Sequence, residues 1–194
     1  MRFKYKYMLA VIFTVSLAFG GIVDKFLNKI KHMELIKISF QQKFYPIGYA
    51  KPITSYGEAY IQNKSPFKIK LVYEKPNKFV ILYNGKNTIL YNKSSNYTYD
   101  VKGKNEEIKG ISILNKDITT VFRPILTSYQ NGYYDILFIP KSKIVKDVSY
   151  VILRLTRNLT PESFYVYMPQ KGVLYIKVLS FSSEKNNEDL FNIK

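Results

Sequence analysis

The chain has 194 residues, 46% of them hydrophobic and 23% charged, which suits one globular domain with its own core and argues against a disordered polymer or two domains. It contains no cysteine and a single histidine, His32, so disulfides, thiolate chemistry and most metal or general-base constellations are excluded. Thirty Lys and Arg against 14 Asp and Glu give a formal charge of +16, a field that favours anionic partners such as phospholipid headgroups, nucleic acid or acidic proteins.

The chain opens with Arg2, Lys4 and Lys6, an apolar run from Met8 to Phe19, and the small-x-small triplet Ala18-Phe19-Gly20. This is the pattern of a secretory signal cleaved near Gly20, leaving residues 21–194 as one exported domain. The apolar run falls short of the roughly twenty residues that a spanning helix needs, so cleavage is preferred over an uncleaved anchor. No lipobox cysteine stands at the cleavage point, so the chain is not itself a lipoprotein. Cleavage removes Arg2, Lys4 and Lys6 and no acid, and the mature chain keeps +13, three less than +16. Export makes nucleic acid a poor partner.

Asp24 to Phe44 reads as an amphipathic helix. Phe26, Leu27, Ile30, Met33, Ile36 and Phe40 recur every three or four residues, Lys25, Lys29, Lys31 and Lys37 take the other side, and Asp24 is a candidate N-cap. Such a stripe packs on a core or closes over a sheet; both uses need the same residues. Tyr45-Pro46-Ile47-Gly48 and Pro52 end the helical pattern, and a strand is expected over Ile53 to Tyr60.

From Tyr56 to Val101 the chain reads as a meander of short strands. Phe67, Ile69, Leu71 and Tyr73 alternate with Lys68, Lys70 and Val72, the period of two of a strand. Pro76-Asn77 turns the chain into Phe79, Ile81 and Tyr83, and Asn84-Gly85 is a strong hairpin signal leading into Thr88 to Tyr91. Tyr97, Tyr99 and Val101 continue the row. One face of this curved sheet thus carries about ten large apolar groups, many of them Tyr rings with a wettable tip. Something must lie against that face: a packed core or an apolar ligand.

Ile111, Leu114, Ile118, Val121, Phe122 and Ile125 return to helical spacing, with Pro124 as a breaker. Four more strands are expected over Tyr133 to Ile139, Tyr150 to Thr156, Phe164 to Met168 and Gly172 to Phe181, continuing the sheet antiparallel. Leu190 to Ile193 is a candidate short edge strand. No nucleophile–base–acid set surrounds His32, and Glu58 and Glu74 carry no mark of a paired-carboxylate site. The expectation is therefore a protein that is not an enzyme and uses no cofactor or metal.

The order of elements resembles the periplasmic lipoprotein carrier family, LolA. The residues that carry the resemblance are Ser39-Phe40-Gln41-Gln42-Lys43-Phe44 after the amphipathic run, Gly57-Glu58-Ala59-Tyr60, Lys64-Ser65-Pro66-Phe67, Lys75-Pro76, Ile81-Leu82-Tyr83-Asn84-Gly85, Ile89-Leu90-Tyr91-Asn92, Leu137-Phe138-Ile139-Pro140-Lys141 and Leu190-Phe191. Each motif is short, and their order across most of the mature chain is what resembles the family. Two features depart from it: Ser65, with Lys64 before it, stands where the family has Arg before Pro, which bears on the latch of the lid. The chain also stops at Lys194 without the family's usual C-terminal extension, which bears on delivery to an acceptor.

The resemblance implies a mainly β fold with α: an incomplete antiparallel β-barrel closed by N-terminal and mid-chain helices acting as a lid. It implies a periplasmic, monomeric carrier that holds the acyl chains of lipoproteins. Its partners would be acylated lipoproteins, an inner-membrane lipoprotein-releasing transporter and an outer-membrane acceptor, with transient contact at a membrane surface. On this reading Phe67, Ile69, Leu71, Phe79, Ile81, Tyr83, Ile89, Tyr91 and Tyr99 line the cavity. Ile30, Met33, Ile36 and Phe40 form the lid face, and Leu114, Ile118 and Phe122 a second flap. The opposite strand phase would put Val72, Val80, Leu82 and Leu90 inside instead. Two other readings are a carrier of another lipid, and an exported β-sheet interaction module with a filled core whose basic surface docks on an acidic partner or anionic membrane.

Overall fold

A computed structural model describes residues 21–85, 87–93, 95, 97–101, 121–141 and 147–192. The predicted signal segment, the turn at 103–107, and Leu114 and Ile118 of the predicted flap lie outside the described residues. Eleven strands form one antiparallel sheet: β1 (Leu35–Pro46), β2 (Ile53–Gln62), β3 (Lys68–Lys75), β4 (Phe79–Tyr83), β5 (Thr88–Asn92), β6 (Tyr97–Val101), β7 (Phe122–Gln130), β8 (Tyr133–Pro140), β9 (Tyr150–Thr156), β10 (Pro161–Met168) and β11 (Gly172–Glu184). Their spatial order is β6-β5-β4-β3-β2-β1-β11-β10-β9-β8-β7. Two meanders therefore meet at the pairing of β1 with β11, and every other pairing joins strands consecutive in the chain.

A helix at 21–31 precedes the sheet, and a 3-10 turn, Glu188–Phe191, follows it. The helix is shorter than the one predicted over Asp24 to Phe44; Ile36 and Phe40 belong to β1, and half-buried Met33 lies in the connection. The reason is visible in the sequence. Positions 36 and 40 share a face in a helix and in a strand alike, whereas Ile38 shares that face only in a strand. Alternation of Ile36, Ile38, Phe40, Gln42 and Phe44 with Leu35, Lys37, Ser39, Gln41 and Lys43, with two β-branched residues, decides for β1. Phe122, assigned to a flap helix, is a buried residue that opens β7. Leu190 and Phe191 form the 3-10 turn in place of the expected edge strand.

The helix packs on one face of the sheet. Val23 and Phe26 are buried with Val121, Phe122, Ile136, Phe138, Leu153 and Leu155, and Ile22, Leu27 and Ile30 lie against the same cluster. The helix thus covers the half built from β7 to β10. A smaller cluster occupies the other face at the far half, where Leu35, Leu82 and Phe191 are buried beside Tyr60, Ile89 and Leu190. Among the described residues no helix is long and apolar enough to cross a membrane.

The helix end is tied to the sheet by polar groups. Asn63 Nδ2 donates to the carbonyl oxygen of Ile30 at 2.8 Å, which also accepts from Met33 N at 3.1 Å in the last turn. Lys64 pairs with Glu34, and Lys29 Nζ donates to the Asn158 carbonyl at 2.7 Å and to Thr160 Oγ1 at 3.3 Å. Glu34 lies in the connection between the helix and β1, so the Lys64 pair joins that connection to the β2–β3 turn.

Candidate functional site

The register of the sheet decides which side chains share the helix-bearing face, because directly opposed residues in an antiparallel pair point the same way. Ile69, Leu71 and Tyr73 oppose Tyr83, Ile81 and Phe79, so these six stand together. Ile61, Ala59 and Gly57 of β2 oppose Ile69, Leu71 and Tyr73, and Ile36, Ile38 and Phe40 of β1 oppose the same three β2 residues. Across β11 the row continues through Phe181, Val178, Ile176 and Leu174, and across β10 through Phe164 and Val166. These join Leu153, Ile136 and Phe138, which lie under the helix. The helix-bearing face is apolar from β4 to β8.

Two predicted lining residues fall on the other face. Ile81 opposes Leu90 and Leu82 opposes Ile89, so Leu90 stands with the apolar row while Ile89 and Tyr91 point away from it. Ile89 instead packs against Leu35, Leu82 and Phe191. The cause is loop length. Five residues, 74–78, separate the opposed Tyr73 and Phe79, which keeps odd positions on one face. Four residues, 84–87, separate the opposed Tyr83 and Thr88, which moves that face to the even positions of β5. Another four residues, 93–96, separate Asn92 from Tyr97 and restore odd numbering in β6. The backbone of Tyr99 opposes Leu90; its side chain lies outside the described residues. Phe67 lies just before β3, half-buried, its ring centroid 6.4 Å from that of Tyr83.

An aromatic floor runs across the half that the helix leaves. The Phe40 ring meets Tyr73 edge-on at 5.5 Å, and Tyr73 stacks on Phe79 at 4.4 Å. Gly57 lies between β1 and β3 in this row, and an added Cβ there would meet the Val72 carbonyl oxygen at 2.3 Å and Phe40 Cζ at 3.0 Å. Its missing side chain is what lets Phe40 lean toward Tyr73. The Tyr73 hydroxyl donates to Gln42 Oε1 at 3.1 Å, and burial pushes its pKa up, so the phenol is neutral and the floor carries no charge. Ile38, Ile61, Leu71, Ile81 and Leu90 are half-buried around it, while Ile36, Ala59, Ile69 and Tyr83 in the same row are buried.

The floor leads to two adjoining open clefts at the start of β4 and β6 and the end of β5. One of about 280 Å³ is lined by Asn77, Phe79, Leu90 and Asn92, the other of about 510 Å³ by Leu90, Asn92, Ser95 and Tyr97. Their sizes are of the order of small-molecule sites, roughly 300–1,000 Å³. The walls are apolar and the lip is amide and hydroxyl. Among the described residues no group of His, Asp and Glu is placed to hold a metal ion. The register thus adds Phe40, Leu90 and Gly57 to the helix-bearing row, Leu90 as in the opposite strand phase. A count of loop residues would have found Leu90, and the period-two pattern of β1 would have found Phe40.

The opposite face is polar along β1 and β2. Tyr60 Oη donates to Glu58 Oε2 at 2.5 Å, Ser39 Oγ donates to Oε1 at 3.4 Å, and Lys37 Nζ lies 3.4 Å from the same carboxylate. The Tyr60 hydrogen bond, outweighing desolvation and helped by Lys37, holds the Glu58 carboxyl below the usual carboxylate range. Farther along, Arg154 forms a two-bond pair with Asp135 at 2.7 and 2.8 Å, its guanidinium 5.6 Å from the centre of the Tyr133 ring. Among the described residues, the recorded partners of Glu58 and Glu74 are Ser39, Tyr60 and Lys37 for the one and Lys93 for the other.

Comparison with known proteins places this geometry. The chain covers 89% of itself and 95% of a Vibrio parahaemolyticus domain described as outer membrane lipoprotein-sorting, at 10% identity and a TM-score of 0.53. It covers 92% of itself and 97% of a DUF1329 family protein from Desulfovibrio piger, at 12% identity and a TM-score of 0.54. It covers 87% of itself and 97% of the lipoprotein LppX of Mycobacterium tuberculosis, at 9% identity and a TM-score of 0.51. At such identities these likenesses speak for the fold. No curated protein matches the sequence. The model of the family described as outer membrane lipoprotein carrier protein LolA matches residues 31–194, nearly the whole of the described sheet and its ends, and this chain belongs to the LolA family.

Proposed function

We propose that this protein is a periplasmic carrier that holds the acyl chains of lipoproteins and moves them from the inner to the outer membrane. The observation that carries the proposal is the division of the helix-bearing face. One half is a core filled by the helix; the other is an aromatic floor, buried at Phe40 and half-buried at Tyr73 and Phe79, running to open clefts at Leu90. A filled-core interaction module would have no use for an apolar floor left open at its lip. Each buried methylene contributes about 0.8 kcal/mol, so ten contribute about 8 kcal/mol, enough for micromolar binding with no polar contact to the cargo. The carrier acts by burial and release and needs no chemical step. The helix serves as the lid over part of the face, with its Asn63 and Lys29 ties setting how readily it yields. An inner-membrane releasing transporter and an outer-membrane acceptor are the partners that such a route requires.

The test is native mass spectrometry and organic extraction of the purified protein, with uptake of a fluorescent fatty-acyl probe. Co-purifying acylated species and saturable uptake are expected. Leu71→Glu, on the floor side, should reduce uptake at least about tenfold, since it places a carboxylate among apolar groups. Lys177→Glu, exposed on the opposite face of β11, should leave it unchanged. Equal uptake by both variants, with both folded, would refute the site.

A further inference from the structure

The β1–β2 connection is unlike the other described turns. Tyr45, Ile47, Tyr49 and Ile53 are 44, 60, 75 and 52% exposed, so four of the ten exposed large hydrophobics among the described residues fall within nine positions. Scatter over a surface does not concentrate them so. Nor is the tip a loose coil. Ile47 N donates to the Lys171 carbonyl at 3.2 Å, Tyr49 N donates to the Pro46 carbonyl at 3.3 Å, and Gly48, at φ +81°, makes the turn. Gly172 at the neighbouring turn, with φ +126°, has the Tyr45 carbonyl oxygen where a Cβ would stand, at 2.0 Å, so the two turns are closely joined.

This end of the sheet is also basic. Strand alternation brings to it the ends of β1, β3, β5, β8 and β10 and the starts of β2, β4, β6, β9 and β11. Exposed Lys51, Lys75, Lys78, Lys93, Lys141 and Lys171 lie there, against Glu74 and Asp147, which pair with Lys93 at 3.9 Å and Lys171 at 2.8 Å. The clefts lined by Phe79, Leu90, Asn92 and Tyr97 open at the same end. Apolar and Tyr side chains projecting from a braced turn, at an end of the sheet that carries exposed lysines along its length, are the chemistry of the boundary between headgroups and acyl chains.

We propose that the tip at residues 45–53 and the exposed lysines along this end of the sheet dock on an anionic phospholipid bilayer, inserting Ile47 and Tyr49 at the headgroup level. Docked so, the clefts face the bilayer, and an acyl chain passes between membrane and floor without crossing open water. The docking surface stands by itself whether or not an acyl chain is the cargo.

The absence of cysteine makes a local probe direct. Tyr49→Cys and, at the opposite end, Asn158→Cys are each labelled in the full chain with a polarity-sensitive fluorophore and mixed with phosphatidylcholine vesicles with or without phosphatidylglycerol. The expected result is a blue shift for the label at position 49 with phosphatidylglycerol vesicles alone, lost at high salt, and none at position 158. Ile47→Asp should lower vesicle partition at least about tenfold while leaving acyl-probe uptake intact, which separates this surface from the floor. An unshifted label at position 49, equal shifts at both positions, or equal shifts on neutral vesicles would overturn the proposal. A shift that depends on protein concentration without vesicles would assign the tip to self-association and overturn it as well.

Discussion

Gly57 is small for a reason that lies on the two strands beside it. The Val72 carbonyl and the Phe40 ring occupy the space a methyl group would need, so Gly57→Ala must displace strand backbone. Overpacking of this kind costs about 1–3 kcal/mol, to be read from urea unfolding, and it should also weaken acyl uptake by moving Phe40 off Tyr73. One position along the same strand, Glu58 makes a pH prediction. Its folded pKa is lowered by Tyr60 and Lys37, so its contribution is present above the unfolded carboxylate pKa and disappears as pH falls through the folded value. Melting temperature should therefore fall on acidification, and Glu58→Gln should flatten that fall while leaving the alkaline side unaltered. A variant with the same acid slope as the parent would show that Glu58 carries none of it.

At the scale of elements, the helix is the weakly held part and the sheet the strong one. Eleven strands share one continuous sheet, whereas the helix rests on the patch around Val23 and Phe26 and on the ties made by Lys29 and Asn63. Losing the hydrogen bond to the Ile30 carbonyl costs about 1 kcal/mol. Asn63→Ala should accordingly speed hydrogen exchange over 21–31 by roughly fivefold while leaving exchange in β1 and β11 unchanged. Uniform acceleration throughout the chain would mean that the helix opens only when everything does. On the carrier reading the same variant loads an acyl probe faster.

For the molecule as a whole, the pairing of β1 with β11 makes two meanders into one sheet. Ile69, at 1% exposure, belongs to one meander and Ile136, at 0%, to the other. Each substituted by Ala should lower stability by about 2–5 kcal/mol, and both should shift a single transition. Two resolved transitions in calorimetry would show instead that the meanders melt apart. The +16 charge acts at this scale too, attracting the chain to anionic surfaces in a salt-dependent way, while the tip and the lysines at its end of the sheet decide which end arrives.

Most strand positions were legible in the sequence because Pro, Gly and Asn bracket runs with a period of two, and β2 to β6 and β8 to β11 stand close to where those runs lie. The helical start, from Asp24 through Ile30, was legible by the same logic. Where two periods coincide, as at Ile36 and Phe40, local pattern could not choose, and pairing of β1 with β2 and β11 on both sides chose for it. The face of β5 was likewise undecided by alternation, since the run Thr88 to Tyr91 is apolar on both sides. The four-residue connection from Tyr83 sets which side turns inward. The sequence by itself determined that an apolar sheet face exists and that the chain is basic. Only the tertiary structure decided that the helix fills one half of that face and leaves the other as a floor, because what covers a surface depends on contacts between residues far apart in the chain.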